Sequence, residues 1–410
     1  MRKDWEVKKL GDVCSLITRG ISPKYVDKSG LMVLNQKCIR DHNVNYNLGR
    51  LHDANSKKVS QERLIQLGDV LVNSTGTGTL GRVAQVKDET NATVDSHVTI
   101  VRPKKELFYY RFFGYAMTSI EEDIAKGGEG CGGQTELSRT KLKNEYYINY
   151  PKFLPEQQRI VAILDEAFAA IAKTKANAEQ NLQNAKGVFE SYLQGVFENA
   201  DNNWEQKKWG DLCDFVRGPF GGSLKKNIFK EDGFVVYEQK HAIHDHFNQL
   251  RYFIDETKFN EMIRFELKPG DIIMSCSGVT LGRVAIVPEG IKRGIINQAL
   301  LKLTPKKNVS AHFLKHWLRS SIFLKIIFDY SGGAAIPNVP AAKILKEILI
   351  PFPSLKEQEQ VVNNIDLMFT ETQKLESIYQ QKIGDLEELK KSILEKAFKG
   401  ELVTEKTMAE

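Results

Sequence analysis

An internal repeat constrains this chain of 410 residues more than any other feature of its sequence. The segment WEVKKLGDVC, which opens at Trp5, is followed by the closely similar WEQKKWGDLC, which opens at Trp204. Further matches keep the same order at an offset of about 200 residues, so we predict two copies of one architecture. These matches are Arg19-Gly20 with Arg217-Gly218, Gln36-Lys37 with Gln239-Lys240, GDVLV (68–72) with GDIIM (270–274), TLGRVA (79–84 and 280–285), Gly132-Gly133 with Gly332-Gly333, and Glu156-Gln157 with Glu357-Gln358.

Each copy is predicted to contain a strand-rich domain followed by one long helix. Segments such as DVLVN (69–73) and VTIV (98–101), with glycine-rich turns between them, favour short strands. Pro155 suits the first turn of a helix, and Ser354 with Glu357 has capping-box spacing. The predicted strand-rich domains span 1–154 and 201–353, and the predicted helices span 155–200 and 354–410.

Both predicted helices carry an apolar heptad seam and would each be about 60 Å long. An unpaired seam of that length would expose an apolar stripe to water, so we expect the two helices to pair. The predicted fold is α+β, with two strand-rich domains separated by two long antiparallel helices that form a coiled coil with pseudo-twofold symmetry. The alternative is that each seam packs on its own domain. The seam residues are Ile160, Leu164, Ala167, Ile171, Ala178, Leu182, Ala185, Phe189, Tyr192 and Val196, and then Val361, Ile365, Met368, Leu375, Tyr379, Ile383, Leu386 and Ile393.

Charge and cysteine usage indicate a broad class of protein. The net charge of +6 permits a polyanionic partner but does not require one. The five cysteines are scattered, with no C-x-x-C, which argues against a zinc ribbon or a disulfide framework. The opening MRKDW lacks the apolar core of a signal peptide, and no run approaches the roughly 18 apolar residues that cross a bilayer. We expect a cytoplasmic protein without membrane contact.

Motifs that would indicate chemistry are weak. Residues 76–81 (GTGTLG) match G-x-G-x-x-G, but RVAQV follows, which alternates like a strand where a dinucleotide site needs a helix. We interpret the motif as a tight connection between strands. His241, His244 and His246 could hold a metal, but the first copy lacks such a cluster, so surface-loop histidines are favoured. For His312 and His316, a solvated helix face is favoured over a metal site because no third ligand is evident.

The sequence also lacks a phosphate-binding P-loop, a methyltransferase motif and a G-x-S-x-G elbow. This favours a non-catalytic binding protein, with no cofactor or metal on this chain.

A polar, basic set of residues lies at the predicted turns and could contact nucleic acid. Lys and Arg can neutralise phosphates, and small hydroxyls beside glycines let a backbone approach closely. For each residue the alternative is a surface charge or, for Arg82 and Arg283, a structural ion pair. Residues that read a base sequence should differ between copies, which draws attention to 37–67 and its counterpart 240–267. The candidates are Arg19, Ser22, Lys24, Lys37, Arg40, Ser74, Thr75, Thr77 and Arg82 in the first copy, and Arg217, Ser223, Lys225, Lys226, Lys240, Ser275, Ser277, Thr280 and Arg283 in the second.

The order of these motifs resembles the specificity subunit of type I restriction-modification systems. The resemblance covers essentially the whole chain and is carried by W-E-x-K-K-[LW]-G-D, by G-D-[VI]-[LI] before T-L-G-R-V-A, and by PEQQRIV (155–161) and KEQEQVV (356–362), which open the long helices. It implies two target recognition domains, each of which reads one half of a split, asymmetric DNA sequence. The long helices would hold the domains apart and dock two methyltransferase subunits.

The resemblance also implies that catalysis belongs to partner chains. S-adenosylmethionine would bind a methyltransferase subunit, which flips the target adenine out of the duplex. ATP and Mg²⁺ would act on a restriction subunit. Two alternatives remain: an accessory DNA-recognition subunit of another restriction-methylation system, and a duplicated coiled-coil scaffold without a DNA role.

Overall fold

A computed structural model describes residues 4–130, 135–198, 204–330 and 338–402. Contacts divide the chain into two compact units, one of residues 1–178 with 381–410 and one of residues 179–380. Each unit therefore combines one strand-rich domain with part of each long helix. The repeated glycine pairs at 132–133 and 332–333 lie outside the described residues.

The first copy contains twelve strands and five α-helices among its described residues. The strands are β1 (Trp5–Lys9), β2 (Cys14–Arg19), β3 (Tyr25–Val26), β4 (Leu31–Leu34), β5 (Ile39–Arg40), β6 (Asn43–Val44), β7 (Arg50–His52), β8 (Val70–Asn73), β9 (Val83–Gln85), β10 (Ala92–Val94), β11 (Val98–Pro103) and β12 (Tyr147–Pro151). The helices are α1 (Leu10–Val13), α2 (Tyr110–Ser119), α3 (Glu121–Lys126), α4 (Arg139–Asn144) and α5 (Leu154–Glu198).

The second copy contains fewer strands and more short helices. The strands are β13 (Glu205–Lys208), β14 (Cys213–Arg217), β15 (Phe234–Tyr237), β16 (Phe253–Ile254), β17 (Ile272–Ser275), β18 (Val284–Ile286), β19 (Gly294–Ile296), β20 (Leu300–Pro305) and β21 (Leu349–Phe352). The helices are α6 (Trp209–Leu212), α7 (Gln239–His244), α8 (Glu256–Glu261), α9 (Ala311–Arg319), α10 (Ser321–Tyr330), α11 (Ala342–Leu345) and α12 (Leu355–Phe398).

Sheet topology confirms the internal repeat. The central antiparallel sheet has the order β2-β11-β8-β9 in the first copy and β14-β20-β17-β18 in the second. A two-stranded pair joins the start of each domain to its end, β1 with β12 and β13 with β21. A second sheet also recurs, with β4 parallel to β10 and β15 parallel to β19.

The central sheet is buried on both faces, so its strands do not show the half-exposed pattern of a surface strand. All four residues of β8 are buried. Val70 and Val72 pack into a core with the helices, whereas Leu71 packs into a separate core beneath the second sheet. The second copy divides Ile272 and Ile273 between two cores in the same way. Successive side chains point to opposite faces of a strand, so one apolar run serves both cores.

The two long helices begin where the sequence predicts. Helix α5 has 45 residues with Pro155 in its first turn, and α12 has 44 residues. The capping box before α12 is present: the Ser354 amide donates to Glu357 Oε2 at 2.9 Å, and the Glu357 amide donates to Ser354 Oγ at 3.4 Å. The Ser354 hydroxyl also donates to Glu357 Oε2 at 2.6 Å, and this bond, followed by that from the Ser354 amide, holds the pKa of Glu357 below its usual value.

The heptad seam of α5 is confirmed along most of its length. Most of the predicted positions from Ile160 to Ala185 are buried. Near the end of the helix, Leu193 and Phe197 are the buried residues, while the predicted Tyr192 and Val196 are only half-buried. An α-helix has 3.6 residues per turn rather than 3.5, so a straight seam drifts around it. In α12, Ile365 is fully buried, but Leu375 is 42% exposed and the neighbouring buried position is Thr372.

The prediction that the helices pair in antiparallel orientation is confirmed by contacts inside the first unit. Lys175 is ion-paired with Glu387, and the Lys390 ammonium lies 5.5 Å from the centre of the Phe168 ring. The residue number rises along one helix as it falls along the other. In the second unit the rings of Phe189 and Phe369 meet edge to face with centroids 5.1 Å apart. Within the described part of the chain, no helix has the length and apolar character to cross a membrane.

A buried glutamine fastens each long helix to its domain. The Gln157 side chain is fully buried and accepts a hydrogen bond from the Tyr109 amide at 2.8 Å. Its amide nitrogen donates to the carbonyls of Leu107 at 2.8 Å and Pro151 at 2.9 Å. In the second copy Gln358 accepts from the Ser310 amide at 2.9 Å and donates to the Pro353 carbonyl at 2.9 Å. The repeated Glu-Gln motif therefore encodes an attachment point.

Candidate nucleic-acid interface

A glycine loop connects two strands of the central sheet in each copy. In the first copy the loop runs from β8 to β9, and Gly76, Gly78 and Gly81 all have positive φ. In the second copy it runs from β17 to β18, with positive φ at Gly278 and Gly282. A strand follows the loop in both copies, which confirms the interpretation of GTGTLG as a tight connection rather than a dinucleotide site.

A glutamine braces this loop in both copies, a role that the sequence did not reveal. The Gln36 amide nitrogen donates to the Thr75 carbonyl at 2.5 Å and to Thr75 Oγ1 at 2.6 Å. The Gln239 amide nitrogen donates to the Ser277 carbonyl at 2.5 Å and lies 3.4 Å from Thr280 Oγ1. The sequence feature that pointed to this bracing role was the recurrence of Gln36-Lys37 as Gln239-Lys240. The bracing role explains why the glutamine recurs in both copies. The lysine is the residue that follows it in the chain.

Three candidate hydroxyls are hydrogen-bonded within the domain at the glycine loop of their own copy. Ser74 is fully buried and its hydroxyl shares a 2.6 Å hydrogen bond with Thr99. Ser275 is also fully buried, and its hydroxyl bonds to the Thr280 carbonyl. Thr75 Oγ1 lies 2.9 Å from a ring nitrogen of His97. These hydroxyls shape the loop from within, and Thr77 is exposed at its tip.

The repeated arginine after the loop differs between copies. Arg82 is half-buried and donates to the Gly78 carbonyl at 2.9 Å, so it closes its own loop rather than forming the structural ion pair considered from the sequence. Arg283 is exposed, and its backbone amide bonds to Ser275 Oγ at 3.0 Å.

The arginine at the end of the first central strand also differs between copies. Arg19 ends β2, is ion-paired with Glu136, and donates to the Leu137 carbonyl at 2.8 Å. Arg217 ends β14 and is exposed. Thr75 is bridged to Glu136 just as Ser277 is bridged to Asn338, so a neutral amide stands in the second copy where the first has a carboxylate. The charge of Arg217 is therefore more available to a ligand than that of Arg19.

The region singled out for its difference between copies does fold differently. In the first copy, β5 and β6 form a hairpin, and Arg40 borders a cavity of about 450 Å³ together with Asn43, Asn45 and Asn47. Arginine and asparagine are side chains that form paired hydrogen bonds to base edges. In the second copy helix α7 follows the equivalent glutamine. The asparagines had no distinct signal in the sequence beyond their place in the divergent region.

The remaining lysine candidates differ in exposure and in their neighbours. Lys24 is exposed beside the second sheet, 3.5 Å from Asp53, whereas Lys37 is exposed next to the glutamine brace. Lys240 is half-buried and lies 3.3 Å from Glu238. Lys225 and Lys226 are exposed after a short 3-10 turn that contains the exposed Ser223, downstream of Arg217. The structure thus brings Arg217, Ser277, Thr280 and Arg283 to one end of the second copy's central sheet.

The prediction of solvent exposure is wrong for His241 and His316, whereas His244 and His312 are exposed. His241 is fully buried rather than on a surface loop; the Glu238 amide donates to its Nδ1 at 2.9 Å, and its Nε2 lies 3.2 Å from the Gln249 carbonyl. Burial lowers its pKa. His316 is also buried rather than solvated, since it packs against α12 with Nε2 3.1 Å from Asp366 Oδ1. Among the described residues, no group of three His, Cys, Asp or Glu could hold a metal ion.

A family model for the type I restriction modification DNA specificity domain matches residues 2–183 and 201–384. The chain belongs to this family. It contains two copies of the DNA specificity domain, in agreement with its repeated sheets, and its function is DNA sequence specificity in a type I restriction-modification system. DNA and other subunits of such a system are accordingly its partners.

Curated relatives align along most of the chain. The EcoBI specificity subunit of Escherichia coli is 24% identical over 392 residues, which cover 83% of this chain and 80% of the relative. A putative MjaX specificity subunit of Methanocaldococcus jannaschii is 25% identical over 386 residues, with coverage of 88% and 86%.

Solved structures share the fold at low sequence identity. The HsdS subunit from Thermoanaerobacter tengcongensis has a TM-score of 0.66 at 18% identity and 98% coverage of both chains. A chain from a study of complex assembly and conformational transition of the type I R-M system has a TM-score of 0.75 at 19% identity, with 98% and 99% coverage.

Proposed function

We propose that each strand-rich domain reads one half of a bipartite, asymmetric DNA target through the loops at one edge of its central sheet. The observation that carries this proposal is the repeated architecture of that edge combined with different side chains on it. Both copies place a braced glycine loop and an arginine there. The first copy adds a hairpin lined by arginine and asparagine, whereas the second adds exposed lysines. Equivalent scaffolds with unlike contact residues suit two different half-sites.

The proposal assigns catalysis to partner chains. Methyl transfer from S-adenosylmethionine and the use of ATP and Mg²⁺ would belong to methyltransferase and restriction subunits, and this chain would direct them. Two methyltransferase subunits, one per repeat, match the duplicated organisation.

Exposed apolar side chains on α12 support the docking of a partner subunit. Leu367 is 62% exposed and Ile378 is 59% exposed. These two residues are eleven positions apart, which is about three helical turns, so they share one face of the helix. On α5 the large apolar side chains at comparable exposure are fewer, with Val188 at 46%. Exposed large apolar side chains on one face of a helix are a feature of interaction surfaces.

Domain exchange tests the division of the target. The complex of this chain with its methyltransferase partner is expressed, and methylated motifs are mapped across the host genome by single-molecule sequencing. Replacement of residues 1–154 with the domain of another family member should change one half-site and leave the other half and the gap unchanged. A change in both halves, or none, would count against one domain per half-site.

A second experiment tests the helices as spacers. Insertion of one heptad into α5 should alter the gap between half-sites or abolish methylation. An unchanged gap with full methylation would refute a spacer role. A scaffold without a DNA role is distinguished by binding: it would show no steep loss of duplex affinity as salt rises.

A further inference from the structure

Two apolar side chains stand almost fully in solvent at one edge of the second copy's central sheet. Phe220 is 93% exposed and Val279 is 94% exposed. The next most exposed large apolar side chain among the described residues is Phe153, at 63%. Scattered apolar residues are normal on a surface, but two extreme cases at one place indicate a contact.

The sheet brings these two tips together. Phe220 lies three residues beyond Arg217, where β14 ends, and Val279 lies four residues beyond Ser275, where β17 ends. Both strands pair with the start of β20, since Arg217 is opposite Leu301 and Ser275 is opposite Leu300. Two strands that flank a third are about 10 Å apart. The tips therefore rise side by side from one edge.

Each tip stands clear of the rest of the domain. A Cβ atom added at Gly222 or at Gly278, the glycines close to the two tips, would meet nothing within 4 Å. The exposed side chains of Arg217, Lys225, Lys226 and Arg283 belong to the same two loops. Cationic loops that surround apolar tips match a duplex, in which phosphates flank a stack of apolar base faces.

The first copy provides an internal comparison because it has hydroxyls at the same two positions. The Gly20 and Gly218 amides both donate across the central sheet, to Val98 and Leu300. By this equivalence, Ser22 of the first copy corresponds to Phe220 of the second copy. The bridged residues Thr75 and Ser277 are each followed by a glycine, so Thr77 corresponds to Val279. Both Ser22 and Thr77 are exposed.

We propose that Phe220 and Val279 form an apolar wedge that enters the groove of the duplex and partly unstacks one base step in the half-site of the second copy. The first copy would read its half-site without such distortion. This inference rests on the proposed function, because it requires that this sheet edge faces DNA. Insertion of apolar side chains between base steps is an established way to kink a duplex. It would make the second half-site selective for deformable steps as well as for base edges.

The experiment uses the full chain in complex with its methyltransferase partner. A duplex that contains the target is first selected from a random library by the wild-type complex. 2-Aminopurine then replaces one base at a time through both half-sites, and fluorescence is read at saturating protein, with saturation verified by anisotropy. Besides the signal of bases flipped by the methyltransferase subunits, we expect a several-fold increase at one or two adjacent positions in a single half-site. The double variant Phe220→Ser/Val279→Thr carries the residues of the first copy and should lose that increase while still bound.

The reciprocal variant Ser22→Phe/Thr77→Val is the matched control for the opposite half-site. A base flipped by the methyltransferase subunit would fluoresce in both double variants, whereas the signal of the wedge would be lost in Phe220→Ser/Val279→Thr. The two sources of fluorescence are therefore distinguished. An increase that survives in Phe220→Ser/Val279→Thr, or bound duplex without any increase beyond the flipped base, would overturn the wedge but leave DNA reading intact. Failure to select any duplex would overturn the proposed function and the wedge together.

Discussion

Replacement of Gln157 by leucine is expected to destabilise the first unit by removing the attachment of α5. The variant deprives the Tyr109 amide and the carbonyls of Leu107 and Pro151 of hydrogen bonds from a fully buried side chain. Each buried polar group left without a partner costs about 1–3 kcal/mol. Three groups lose their partner, and local relaxation compensates part of the summed cost. We therefore expect the free energy of unfolding to fall by about 3–5 kcal/mol.

The assay is differential scanning calorimetry with a neighbouring glutamine as control. For a domain of about 150–250 residues, 1 kcal/mol lowers the midpoint by about 2–4 °C, so the expected drop is about 6–20 °C. Gln158 is the next residue on the same helix and is exposed, so Gln158→Leu should change the stability by no more than about 0.5 kcal/mol. Equal midpoints for the two variants would refute the idea that the buried amide fastens the helix.

Three further predictions follow from the same structure. Burial lowers the pKa of His316 to about 4, below the ordinary value of 6.5, so the folded chain should lose stability as the pH drops from 6.5 towards 4; urea midpoints of His316→Gln should show a smaller loss, because the share of the buried His241 remains. Asp69 is buried and its carboxylate lies 2.8 Å from Arg102, so Arg102→Leu should lower the free energy of unfolding in urea titrations by about 3–5 kcal/mol. Arg102→Thr should destabilise less, because the second copy has a threonine, Thr304, at the equivalent position, where it donates to Asp271. An equal loss in both variants would contradict the equivalence of the two positions. Lys225→Gln/Lys226→Gln should reduce the slope of log affinity against log salt by up to about 1.8, and an unchanged slope would exclude both lysines from phosphate contact.

The repeat and the long helices could be predicted because their signals are local and periodic. The capping residues Ser354 and Glu357 and the seam from Ile160 to Ala185 follow from helix geometry alone. Some short helices inside the domains, such as α2 and α10, were not predicted. Their apolar faces complete cores whose other walls lie far away in sequence.

The candidate DNA-binding residues illustrate what residue type cannot reveal. Ser74 and Ser275 matched the expected chemistry of small hydroxyls, yet both are buried and bonded within the loop. Arg19 and Arg217 are the same residue at equivalent positions, but a carboxylate from a distant segment neutralises the first, whereas no ion pair joins Arg217 to another of the described residues. Which of the predicted residues contact DNA stays a prediction.

The sequence by itself determined the duplication, the starts of the long helices and the family, because order, spacing and local hydrogen bonding survive without knowledge of long-range contacts; the end of α12 at Phe398, short of the predicted 410, was not determined in this way. Only the tertiary structure decided which side chains are free to act. It buried His241 and His316, gave Gln36 and Gln239 their bracing role, and placed Phe220 beside Val279. The physical reason is that exposure and bonding depend on neighbours across a sheet, and those neighbours are separated by tens to hundreds of residues along the chain.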